Sequence, residues 1–198
     1  MSFSLYDLRF KLLLTTVLFL VPLHVYVIGD WLGQGLQWAL LRFQQSAMGP
    51  CVITLARDLE YVSMGIYTGR SAFMVYLWLA GVLVLVAAMC LLLVMVAEER
   101  DLETRFSGLL IVSGGFFFLA SCVAQYGPLL NGPAGISIPI GVPLVWAVGW
   151  VVYRDGGIYR DKEGRVEEGA GGREGEMEKE QASEGMEGFG AGTIGKGE

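Results

Sequence analysis

At 198 residues, 54% hydrophobic and 17% charged, with a mean hydropathy of +0.52, the chain has the composition of an integral membrane protein rather than of a soluble domain. Its net charge of −6 is concentrated in residues 154–198, where twelve acidic and seven basic residues leave −5, so residues 1–153 carry only −1. There is no basic stripe for nucleic acid, and a single histidine with three cysteines outside any CxxC pattern argues against a Cys/His zinc site.

Residues 1–11 form a short polar lead-in, with Arg9 and Lys11 just ahead of the first apolar run. That run, residues 12–29 (LLLTTVLFLVPLHVYVIG), exceeds a signal-peptide core and is followed by no A-x-A site. It is expected to stay as a first transmembrane helix, bent at Pro22. Residues 30–72 are too polar to span and too apolar for a loose loop. WLGQGLQWALLRFQQ places Leu32, Leu36, Leu40 and Phe43 on one helical side, with Gln34, Gln37, Arg42 and Gln45 elsewhere. A second short amphipathic helix is expected over 54–67, after the Gly49-Pro50 break, so the whole connection forms a helical cap outside the membrane.

Residues 73–97 are the clearest element. They comprise 25 residues without a charge or a proline, and at about 1.5 Å per residue they reach roughly 37 Å across a hydrocarbon core of roughly 30 Å. After the charged turn EERDLETR, residues 106–126 form a third span rich in small residues, including Ser113, Gly114 and Gly115. An uncharged loop over 127–135 leads to a fourth span, 136–153, with Pro139 in its first turn and Pro143 one turn deeper. The Gly/Glu-rich tail, 154–198, lacks the apolar surface to offset chain entropy and is expected to be disordered. Basic residues lie mostly on one side of this threading, which puts both termini in the cytoplasm of a multi-pass protein of the cell membrane, with the long connection outside.

The polar residues that invite a functional reading are few. His24, near Pro22 in the first span, is either an intramembrane ionisable site or a neutral, hydrogen-bonded packing residue, and the absence of an ionisable partner in any span favours packing. Asp30, Arg57 and Asp58 in the connection would line an outer vestibule or stand as solvated charges. Cys51 and Cys122 are the pair a disulfide would join, the alternative being a buried, packed Cys122. No phosphate loop, HExxH, GxSxG or paired intramembrane carboxylate is present, so no catalytic residue, metal or cofactor is assigned.

The sequence thus predicts an all-α, four-transmembrane-helix bundle with an amphipathic helical cap and a disordered tail. Its expected role is that of a non-catalytic scaffold or accessory subunit. Its partners are the lipid bilayer and another membrane protein, or itself, through small-residue helix faces, and not nucleic acid. The alternative is a small transporter or oligomeric channel with a site near His24 and Pro22.

Overall fold

A computed structural model describes residues 2–29, 33–98, 104–132 and 134–154. The first helix, α1 (Ser2–Leu20), stops two residues before Pro22, whose ring lacks the N–H a helix needs and turns the preceding residue toward extended backbone. His-Val-Tyr-Val-Ile follows, rich in β-branched and aromatic side chains, and forms strand β1 (His24–Ile28). The chain then folds back and forth through β2 (Gly33–Gln37), β3 (Leu41–Ser46) and β4 (Gly49–Thr54). Gly49 has a φ of +110° where β4 leaves the tight turn at Ala47 and Met48, a conformation that a side chain would resist.

Helix α2 (Leu55–Ser63) is capped by the Thr54 hydroxyl, which accepts from the Arg57 backbone N–H. Two long helices, α3 (Arg70–Glu98) and α4 (Thr104–Tyr126), come next, and then β5 (Asn131–Gly132), β6 (Gly135–Ile138) and α5 (Val142–Arg154).

The all-α four-helix bundle is therefore overturned. The fold is mixed: the described residues form five helices with a six-stranded antiparallel sheet in the order β4-β3-β2-β1-β6-β5. Among the described residues, two helices, over Arg70–Ala97 and Thr104–Tyr126, are long and apolar enough to cross a membrane. The expected first span, 12–29, is helix only as far as Leu20 and becomes strand β1 from His24. The expected fourth, 136–153, begins in β6, and its helix at about 1.5 Å per residue covers only about 20 Å over the 13 residues Val142–Arg154. The outer connection is a β-sheet with one short helix. The chain divides into two units, Met1–Gly156 and Gly157–Glu198, and the tail expected to be disordered lies outside the described residues, apart from Arg154.

α3 and α4 pack antiparallel. The Ser121 hydroxyl donates to the Met74 carbonyl at 2.9 Å, Trp78 meets Phe118 with ring centroids 4.7 Å apart, and Gly114 lies against Gly81 and Leu85. α5 returns alongside α4, where the bare backbone of Gly108 touches Tyr153 and Gly149, and Gly115 admits the Trp146 indole. Close approach of this kind holds helices together where lipid supplies no hydrophobic drive.

α1, α3, α4 and α5 all meet the sheet at one end. The Trp38 indole donates to the carbonyl of Leu20, the last residue of α1, and the Trp78 indole, near the start of α3, donates to Ala39. Gly141, just before α5, donates its N–H to Leu23, and Ser137 of β6 donates to Leu130, a few residues after α4.

Candidate functional site

Strand pairing sorts the side chains of the sheet onto two faces. His24 and Tyr26 of β1, Gln37 of β2, Arg42 and Gln44 of β3 and Ser137 of β6 share the face turned toward the helices, as the pairs His24–Gln37, Arg42–Gln37 and Tyr26–Ser137 require. His24, Tyr26 and Ser137 are each 3% exposed. The layer between sheet and helices is therefore polar and aromatic where a hydrocarbon core would be usual. Gly35 is part of its construction, since a side chain there would collide with the Tyr26 ring.

Two groupings fill the layer. In the first, the His24 imidazole sits among three rings. Its centroid lies 5.3 Å from Tyr26, 5.4 Å from Trp78 of α3 and 6.4 Å from Tyr126 of α4, the latter two edge-on. Burial, reinforced by the nearby Arg42 cation, pulls its pKa down from 6.5 to about 4, so the ring is neutral at physiological pH. The Cys122 thiol faces the Ser137 hydroxyl at one side of this grouping.

In the second, Arg42 Nη2 donates to Asp58 Oδ1 at 2.8 Å and to the Tyr67 hydroxyl at 2.5 Å, tying β3 to α2 and to the segment that enters α3. Burial opposes the Arg42 charge, but Asp58, Tyr67 and Tyr26 outweigh it and hold the guanidinium protonated. Asp58 is pushed up by burial and pulled back by Arg42.

Five buried polar side-chain atoms among the described residues lack a hydrogen-bond partner. Three of them, His24 Nδ1, Arg42 Nε and Ser137 Oγ, belong to this layer, which makes it the part of the molecule with the most unspent polarity.

The residues singled out in the sequence fare differently. His24 lies in β1 and not inside a span, because α1 has already ended. Asp58 is a buried partner of Arg42 and not a vestibule charge. Arg57 is exposed and pairs with Glu60 on the surface of α2. Asp30 lies outside the described residues. The disulfide is not formed: Cys51 is an exposed free thiol on β4 and Cys122 a buried free thiol on α4. Cys122 faces β6, four strand positions from β4, and at about 4.8 Å per strand that is some 19 Å, far beyond the reach of an S–S bond.

Sequence reasoning missed Arg42, Tyr26, Tyr67, Gln37 and Ser137. Only Arg42 left a trace, as one of the few charges in an otherwise apolar connection. Among the described residues, no group of three His, Cys, Asp or Glu side chains is placed to hold a metal ion.

No family model matches the chain, and no curated protein matches it in sequence.

Proposed function

We propose that this protein is a non-catalytic component of a membrane complex, anchored by α3 and α4 and presenting its sheet outside the bilayer as a docking platform. The observation that carries the reading is the inverted sorting of the sheet. The more buried polar side chains are spent on the helices, and the opposite face is left with Val25, Val27, Leu36, Phe43, Val52, Ile136 and Ile138, interrupted by the uncharged Gln34 and Gln45. Val52 is 64% exposed and Ile138 57%, and an uncharged apolar face of this extent is typical of association surfaces.

The small-residue helix faces are less suited to a partner, because Gly81, Gly108, Gly114, Gly115 and Gly149 are taken up by packing within the chain. In the same reading α1 and α5 also enter the bilayer, and the protein is a multi-pass component of the cell membrane. Both termini then lie on the cytoplasmic side, since the helix ends remote from the sheet carry Arg9, Arg105 and Arg154.

The transport alternative loses its foundation. It needed Pro22 and His24 to break a helix at mid-membrane, whereas Pro22 follows the end of α1 and His24 starts a strand.

Affinity purification of the tagged full chain from membranes in mild detergent tests the proposal. Stoichiometric recovery of a membrane-protein partner, or of a second copy of the chain, is the expected result. A chain that stays a lone monomer under chemical crosslinking in its native membrane would defeat it.

A further inference from the structure

Residues 55–67 form a unit bonded chiefly to itself. α2 is closed by a turn in which Met64 donates its N–H to Glu60, Gly65 to Val62, and both Ile66 and Tyr67 to the Tyr61 carbonyl. The Tyr67 ring stands edge-on to Tyr61 at 5.5 Å, and Arg57 pairs with Glu60 and lies over the Tyr61 ring. The unit enters at the Thr54 cap and the Leu55 N–H, which donates to Leu40, and it leaves at Gly69, whose φ is +56°. Between those ends, among the described residues, both hydrogen bonds that tie it to the rest of the chain end on one atom, Arg42 Nη2. Its apolar attachment is thin. Asp58 is the one buried residue of α2, and Leu55 packs against the hydrophobic core, whereas Leu59, Tyr61 and Val62 stand half-buried.

We propose that residues 55–67 are a hinged strap over the Arg42 end of the polar layer, latched by Arg42 and able to open while the sheet and the long helices stay folded. Such a strap works whether or not the sheet docks a partner. A nine-residue helix is too short to hold itself in water, so once released it melts rather than swings. The latch is finely balanced, because the attraction within a buried ion pair is largely offset by the water that both charges give up. An element with one buried side chain and one latch therefore opens at a lower cost than the core does. At Gly65 and Gly69, both with positive φ, an added side chain would meet no atom within 4 Å, so the turn is not packed against the body at either point.

Opening uncovers the polar layer. Tyr26 sits within electrostatic reach of Asp58 and Tyr67, and its hydroxyl lies 3.5 Å from Gln44 Oε1. With the strap away, Arg42 loses both partners, and a paired, neutral surface becomes a cationic one facing water.

Tyr67→Phe tests the latch with the least disturbance, since it keeps the ring and deletes one of the two bonds. In amide hydrogen exchange of the full chain in lipid nanodiscs, residues 56–68 should exchange about tenfold faster in this variant, the factor set by a hydrogen bond to a charged group, with β1, β2, α3 and α4 unchanged. A thiol probe gives a second reading. With Cys51 and Cys90 replaced by serine, Val62→Cys should label with a water-soluble maleimide, and faster once Tyr67→Phe is added, while the buried Cys122 stays closed. Acceleration spread evenly over sheet and helices, or labelling of Cys122, would make the contact part of the global fold and overturn the strap. Unchanged exchange over 56–68 would overturn it as well, by showing that Arg42 latches nothing.

Discussion

His24 is the only histidine in the chain, and the fold holds it neutral among Tyr26, Trp78 and Tyr126. Its pKa of about 4 when folded lies below the ordinary 6.5, so between those values the unfolded chain takes a proton that the folded chain refuses. Stability is then full above pH 6.5 and falls as the pH drops toward 4, by at most about 3 kcal/mol. Denaturation in detergent at pH 7.5 and 4.5 should show this loss, and His24→Phe should flatten it; an unchanged profile in the variant would assign the pH dependence elsewhere. The Arg42–Asp58 pair gives a second expectation. Asp58→Ala leaves a buried guanidinium with Tyr67 as its remaining partner and should cost about 3–5 kcal/mol, whereas joint replacement by Met and Leu should cost much less. Equal losses in the two variants would show that the ion pair matters by its presence and not by its balance. Thiol labelling completes the residue scale: a water-soluble maleimide should modify Cys51 in the folded protein and reach Cys122 only after unfolding.

Among the elements, α3 and α4 were legible because nothing competes with their signal. Over residues 73–97 no face is polar and no proline intervenes, so a long apolar helix is what satisfies every backbone group there. β1 was hidden for the opposite reason. HVYVI continues the apolar run of α1, and a short apolar run has no period that separates a buried strand from a helix. Pro22 and the cluster Val25, Tyr26, Val27, Ile28 were the available signs, and they also suited a kinked span. β2 and β3 misled through their glutamines and Arg42, because the usual rule puts polar side chains toward water, and here the more buried of them face inward. Gly33 and Gly35, poor helix formers two residues apart, were the better clue. α2 was within reach, since Thr54 caps it at the position where the second amphipathic helix was expected to begin. The glycines between α4 and α5 carry an element-scale prediction. Gly108→Val drives a side chain into the Tyr153 and Gly149 backbone, which has little room to yield, and should lower stability by about 1–3 kcal/mol or more, while Ala120→Val on an exposed face of α4 should change it little. Thermal melts in one detergent decide the matter, and equal melting points would contradict the packing described between these helices.

On the scale of the whole molecule, the sheet draws on strands from before α3 and after α4. One edge of β1 is closed by its neighbour β2, on which β3 and β4 follow in succession, but its other edge is closed by β6, more than a hundred residues later. Neither propensity nor periodicity reports a pairing at that separation, which is why the site, assembled from β1, β3, α2, α3, α4 and β6, was not visible residue by residue. The same pairing has a consequence for biogenesis. While the ribosome is still making α3 and α4, the first four strands stand as a meander with the outer edge of β1 unclaimed, and Ser137 has not yet arrived beside Tyr26. Closure waits for the segment ahead of α5, so a nascent chain stalled after residue 126 should be cut by protease within 24–54, and one extended past residue 154 should resist.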